Sequence, residues 1–156
     1  MLNQSAEYGL RAVVHLATLP DDEQASASDI SERTKVPIPY LQKVLRTLTR
    51  TGVLKARRGM GGGFSLAKGS DEITVLEILG AFDSSPQRIE KCPLGIAGHT
   101  RLCPLHTLID EQVANAERVF AKTTIRDILD TQSDIRPLCE GQARVTLGLP
   151  KDNQSG

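Results

Sequence analysis

The 156-residue chain is 39% hydrophobic, enough for one compact domain with an appendage, and no apolar run approaches the roughly 18–20 residues that span a bilayer. Aromatic residues make up only 3%, with no Trp, which argues against stacking on single-stranded nucleic acid. Net charge is zero, yet from Arg33 to Ser70 there is no acidic residue and there are 9 basic ones, leaving 10 basic against 19 acidic elsewhere. Such polarisation suits a polyanion-binding face, and a solvated basic surface is the plainer alternative. Met1 to Tyr8 contains Glu7 and no basic residue, unlike a signal peptide, so a cytoplasmic protein with no membrane partner is expected. In that compartment the three cysteines are thiols or metal ligands rather than disulfides.

Leu10, Val13, Val14 and Ala17 fall at i, i+3, i+4, i+7 and predict a first helix over 6–19. After a polar loop, Ser26 or Ser28 can cap a short second helix reaching about Thr34. Val36-Pro37-Ile38-Pro39 turns the chain, and Pro39 suits the start of a third helix running to about Thr51. Leu41, Val44, Leu45 and Leu48 give that helix an apolar stripe, with Gln42, Lys43, Arg46, Thr47, Thr49 and Arg50 mainly on the other face. Val53–Ala56 and Phe64–Leu66 read as a hairpin around the tip Arg57-Arg58-Gly59-Met60-Gly61-Gly62-Gly63. Thr74 and Glu77 form a capping box for a fourth helix through Phe82. Residues 84–98 are irregular, and a long helix follows from about Pro104 to Lys122. Ile109, Val113, Ala116 and Phe120 give it a seam close to that of a coiled coil. Thr124 can cap a last short helix to Leu129, and the chain beyond Thr131 reads as a flexible tail.

Helix, turn, helix, hairpin is the order of a winged helix-turn-helix. The third helix offers donors suited to the major groove, Gln for adenine and Arg or Lys for guanine and phosphate. The Gly-rich tip could instead cradle a nucleotide, but the Gly-Lys-Ser/Thr of a P-loop is absent. Arg57 and Arg58 beside the glycines suit the minor groove or the DNA backbone; an ordinary flexible hairpin is the alternative.

Tyr40-Leu41 through Leu48, Gly52-Val53-Leu54, Arg58-Gly59-x-Gly61-Gly62-Gly63-Phe64-x-Leu66-Ala67 and Ile73-Thr74-Val75 together resemble the Rrf-two family of winged-helix regulators. The resemblance covers roughly residues 1–129, and the Arg-Gly-x-Gly-Gly-Gly-Phe wing is its most specific part. It implies a DNA-binding homodimer built on crossed long helices. It also implies base-reading residues at Tyr40, Gln42 and Lys43, and a wing arginine at Arg58. Such regulators often carry three cysteines ahead of the dimer helix. Here Cys92 and Cys103 are in place with no cysteine between them. His99 stands roughly where the middle ligand would be, and His106 follows Cys103 by three residues. Glu7 matches an acidic position that, in some members, caps the partner subunit's cluster.

Two cysteines and one or two histidines can hold a [2Fe–2S] cluster, as Rieske ligation does, or zinc. They can also be small buried groups that hold no metal. The resemblance puts iron–sulfur ahead of zinc. Cys139, in the tail, and His15, in the first helix, are not expected to be ligands.

The expected fold is mainly α, a winged helix-turn-helix with a long C-terminal dimerisation helix. Residues 1–82 form the DNA-binding domain, 83–130 a sensory loop and dimer helix, and 131–156 the tail. The candidate contacts to double-stranded DNA are Ser28, Tyr40, Gln42, Lys43, Arg46 and Arg50, with Arg57, Arg58, Gly59 and Gly61 from the wing. The expected metal ligands are Cys92, His99, Cys103 and His106, with Glu7 from the partner subunit; the dimer contacts are Ile109, Val113, Ala116 and Phe120. The expected function is a sequence-specific transcription regulator, a repressor, controlled by a cluster or metal. A metal-free regulator of the same fold, sensing a small molecule or partner protein, is the alternative. A metal-dependent enzyme is a remote third reading, because the chain has no His-x-Glu with a Pro-Cys-x-x-Cys partner.

Overall fold

A computed structural model describes residues 2–21, 23–93, 95 and 101–131. His99, Cys139 and the expected tail beyond Thr131 lie outside the described residues.

Helix α1 spans Gln4–Ala17, two residues earlier at each end than the periodicity predicts. The early start is set by Asn3, whose side-chain oxygen accepts the Ala6 N–H at 2.8 Å. The face that α1 buries is wider than the predicted stripe and includes Ala6, Gly9, Ala12 and Leu16. Helix α2 (Ala27–Thr34) is capped by Ser26, in a reciprocal box with Asp29, rather than by Ser28. Helix α3 (Ile38–Arg50) starts after Pro37, so Pro39 occupies its second position. Leu41, Val44, Leu45 and Leu48 are buried as the stripe predicts. Each such leucine stabilises the core by about 1.5–3 kcal/mol.

Strands β1 (Leu54–Arg57) and β2 (Gly63–Leu66) pair antiparallel, with Leu54 opposite Leu66 and Arg57 opposite Gly63. Ala25, just before α2, extends this hairpin. Its N–H donates to the Phe64 carbonyl at 3.0 Å, and the Phe64 N–H donates back at 2.8 Å. A Cβ on Gly63 would lie 2.6 Å from the Ala25 carbonyl oxygen, so the last glycine of the wing is needed for this close approach. The wing is thereby tied to the helix-turn-helix.

Helix α4 (Val75–Gly80) is capped by Thr74, but the Glu77 carboxylate goes to Lys68 Nζ at 2.9 Å. The predicted capping box is therefore half formed, and the helix stops two residues before Phe82. Helix α5 (Pro104–Lys122) has its predicted bounds and packs on α4, with no residue fully buried. Helix α6 (Ile125–Asp130) opens with a capping box between Thr124 and Asp127. The expected division places α6 with the dimer helix. Its contacts are with the first unit: the Ile125 N–H donates to the Ile73 carbonyl at 2.9 Å, the Arg126 N–H donates to the Ser70 carbonyl at 3.0 Å, and Ile125 is fully buried in the main core.

His15 of α1 is buried in the described fold. Burial, and then the nearby Arg33 charge, lower its pKa from the ordinary 6.5, while Asp29 opposes them. An unfolded chain therefore takes up a proton at pH values where the folded chain does not. Stability is present above about pH 6.5 and is lost as pH falls below it. Urea midpoints between pH 7.5 and 5.5 are expected to fall more steeply for the parent than for His15→Gln. Equal slopes would show that His15 does not contribute.

Candidate nucleic-acid interface and metal centre

The outward face of α3 presents Tyr40, Gln42, Lys43, Arg46 and Arg50, all exposed. Their common exposure follows from the burial of the Leu41, Val44, Leu45 and Leu48 stripe on the opposite side. Two flanks can be distinguished. Tyr40 and Lys43 line a small cavity against Gln4, Ser5 and Tyr8 of α1. Gln42, Arg46 and Arg50 line an open groove of about 580 Å³ with Ala56 and Phe64 of the hairpin. The groove joins the third helix to the wing as one continuous surface. At the wing tip Arg57, Arg58, Gly59, Met60 and Gly61 are all exposed. Gly59 and Gly61 take φ values of +100° and +75°, which side-chain-bearing residues rarely adopt. The tip can thus turn tightly and bring its backbone close to a phosphate. Ser28 is exposed at the start of α2, freed from capping because Ser26 does that work.

The metal candidates come together only in the fold. Cys103 is the N-cap residue of α5, with its side chain free of any capping bond, and Pro104 fixes the first helical position. His106 follows on the first turn. Its Nδ1 lies 3.1 Å from Cys103 Sγ and 3.8 Å from Cys92 Sγ. The three donor atoms lie within 4.8 Å of one another, and all three residues are half-buried. A tetrahedral zinc site with ordinary bond lengths has S···N and S···S edges of roughly 3.6–3.8 Å, so this spacing needs only small adjustment. Cys103 also stands at the positive end of α5, which favours the negative charge of a metal-bound thiolate. Gly95 turns the chain just after Cys92 with φ +59°. His99, the fourth donor by sequence, lies outside the described residues. Glu7 is not part of this group in its own chain; its carboxylate pairs with Arg11 one turn along α1.

Residues 2–131 match the family model Rrf2, described as an iron-dependent transcriptional regulator. The chain belongs to the Rrf2 family. Relatives agree. A Synechocystis protein named as an HTH-type transcriptional regulator is 42% identical over 84 residues, covering 54% of this chain and 57% of that protein. BadM of Rhodopseudomonas palustris, also named as an HTH-type transcriptional regulator, is 31% identical over 134 residues, 84% of each chain. Among solved structures, CymR, the global cysteine regulator of B. subtilis, superposes with a TM-score of 0.71 at 21% identity, covering 81% of this chain and 94% of CymR. IscR of T. potens superposes at 0.67 with 23% identity, covering 83% and 85%. The fold is therefore the winged helix of those regulators, and this Rrf2 protein is a DNA-binding transcriptional regulator, not an enzyme. No helix of the described residues is long and apolar enough to cross a membrane.

Helix α5 of this Rrf2 regulator departs from the predicted seam. Phe120 is half-buried against the cluster of Ala6, Val75 and Leu79. Val113, Ala116 and Phe120 line a groove of about 730 Å³ with Leu2, Asn3 and residues 83–87. Ile109 alone of the four expected contacts stands among the large exposed apolar residues. The others on α5 are Leu105, Leu108 and Val119, and these four are between 42% and 62% exposed. The open apolar stripe is thus rotated from the predicted seam, because α4 and α1 take up one edge of it. Sequence patterning also missed Asn3, whose side chain donates to the Phe82 carbonyl at 2.8 Å and whose N–H donates to Ser84 Oγ at 3.1 Å. A polar residue just ahead of an amphipathic run signals the cap; nothing local signals the contact 79 residues away.

Proposed function

We propose that the protein is a cytoplasmic homodimeric repressor whose grip on double-stranded DNA is set by a metal centre at the start of α5. The observation that carries this reading is the convergence of Cys92, Cys103 and His106 at the N-terminus of a 19-residue helix none of whose residues is fully buried. Thiolates with imidazole suit a [2Fe–2S] cluster, and the description of the family as iron-dependent favours iron over zinc. The centre, when bound, supplies a redox-sensitive crosslink between the loop after α4 and the first turn of α5. His99 is the fourth donor by sequence, and Glu7 of the partner subunit approaches the centre across the dimer. The apolar stripe Leu105, Leu108, Ile109 and Val119 packs on its symmetry mate, with Val113, Ala116 and Phe120 at its edge. Any shift of α5 then alters the spacing of the two α3 helices, and two half-sites demand a fixed spacing.

On DNA, α3 reads bases through Tyr40, Gln42 and Lys43, while Arg46, Arg50 and Arg57 position the protein on phosphates. Arg58, with Gly59 and Gly61, enters a groove edge, and Ser28 meets the flanking backbone. Arg58→Ala is expected to cost about 1–3 kcal/mol in specific binding, a loss of roughly five- to 150-fold, and much less on random DNA. Arg50→Ala is expected to weaken all sequences alike and to lower the salt slope by about 0.9, the value for one phosphate left without its neutralising cation. Salt titrations of operator and random duplexes test both. Parent-like binding by both variants would remove α3 and the wing from the interface. The regulatory claim is tested by comparing anaerobically purified protein with its metal-stripped form on the same operator. Equal affinity would favour a metal-free regulator that answers to a small molecule or a partner protein.

A further inference from the structure

We propose that Arg88 and Asp110 form a clip that positions Cys92 for the metal centre and fastens the loop that carries it to α5. The inference rests on the metal reading above. Cys103 and His106 are placed by one helix, but Cys92 arrives on a stretch, residues 84–92, with neither helix nor strand to hold it. Bringing its sulfur to 3.8 Å from His106 Nδ1 needs an anchor.

The anchor is the Asp110 carboxylate. Arg88 Nε donates to one of its oxygens at 2.8 Å, and Nη2 donates to the other at 2.6 Å, the two-pronged geometry specific to arginine. The Ile89 backbone N–H donates to the first oxygen at 2.8 Å. Three bonds from two consecutive loop residues thus converge on one carboxylate, which is only 13% exposed. An ordinary surface ion pair fixes side chains; this one also fixes the main chain, three residues ahead of Cys92. Three residues reach at most about 10 Å, so the sulfur is confined to the neighbourhood of α5. Asp110 stands four residues after His106, on the same side of the helix and one turn along. The clip and the metal ligands therefore form two adjacent rungs between loop and helix. Arg88, followed by the Ile89 N–H, holds the Asp110 pKa down at about 2, so the carboxylate of the clip is ionised at neutral pH. The clip's bonds run between the loop and α5 and touch neither the helix-turn-helix nor the wing, so changing Arg88 or Asp110 is expected to leave the winged helix standing.

Cobalt(II) binding to the full-length reduced protein under anaerobic conditions tests the clip, because sulfur-to-cobalt absorption counts bound thiolates. The parent is expected to bind with a two-thiolate spectrum. Asp110→Asn and Arg88→Ala are expected to bind about tenfold or more weakly, as loss of a supporting partner commonly does, with near-ultraviolet intensity per cobalt falling toward the one-thiolate value. Arg88→Lys, which keeps the charge but not the fork, is expected to recover only part of the affinity. In a Cys92→Ser background, Asp110→Asn is expected to have no further effect, because the clip acts through Cys92. An equal loss in both backgrounds would mean a general structural role and would overturn the proposal. Parent-like affinity and spectrum for Asp110→Asn would overturn it while leaving the metal centre in place. A parent that binds no cobalt and carries no iron or sulfide when purified anaerobically would overturn the metal reading and the clip together.

Discussion

A glutamate at Leu108 is expected to convert the protein from dimer to monomer and to cost at least a hundredfold in operator affinity. Leu108 stands on α5 in the exposed stripe with Leu105, Ile109 and Val119. Among the described residues nothing covers that stripe, and α5 packs only on α4 among the described elements with substantial contact. A two-fold axis makes every interface change count twice. Losing the burial of two leucines removes about 3–6 kcal/mol, and forcing two carboxylates together in an apolar seam adds to that. Each factor of ten is about 1.4 kcal/mol, so the dimer dissociation constant rises by more than two orders of magnitude. Val113→Glu is expected to act in the same direction but less strongly, because Val113 faces the groove beside Asn3 and residues 83–87 rather than open solvent. Sedimentation velocity at micromolar protein, with operator titration on the same samples, reads both. A parent that sediments as a monomer and still binds its operator tightly would end the dimer proposal.

The helical core was legible because its signals are local. Leu41, Val44, Leu45 and Leu48 repeat at helical spacing, Ser26 and Thr124 announce helix starts three residues ahead of an aspartate, and Pro104 opens α5 where predicted. The misjudged boundaries are those set by long-range competition. Glu77 leaves its capping box for Lys68, and Asn3 starts α1 early while reaching Phe82. The wing's third rung, Ala25 with Phe64, joins segments 39 residues apart and leaves a trace in sequence only as the glycine at position 63. The same division runs through the site. Cys103 and His106 could be paired from their i, i+3 spacing, whereas the approach of Cys92 depends on Arg88 meeting Asp110 across 22 residues. On α5, periodicity shows which helix face is apolar and not which edge of it the chain's own α4 and α1 will claim, so the half-burial of Phe120 was not legible.

Serine at Cys92 or at Cys103 is expected to abolish the metal centre while leaving the fold and the dimer intact. Serine keeps the size of the side chain and removes the soft thiolate that iron–sulfur centres and zinc require. With Cys103 replaced, His106 keeps Cys92 as its described thiol partner; with Cys92 replaced, the described part of the loop ahead of α5 has no thiolate to offer the centre. Either variant should therefore drop bound iron or zinc and the associated absorbance to background, an effect far larger than that of weakening a supporting hydrogen bond. The fold should survive because neither cysteine belongs to the two hydrophobic clusters, and the first turn of α5 keeps the Thr107 N–H on the Cys103 carbonyl at 2.9 Å whatever the side chain. The apolar stripe of the proposed dimer contact is also untouched. Cys139→Ser, outside the described residues, is expected to leave metal content unchanged and so serves as the control for general thiol loss. Metal and sulfide analysis of anaerobic preparations, alongside circular dichroism, sedimentation and operator titration, separates the possible roles. Loss of metal with altered operator affinity and an unchanged dimer would place the centre upstream of DNA binding. Full metal content in Cys103→Ser, or metal-free parent protein with the same operator affinity as the variant, would reduce the loop to a connection between α4 and α5.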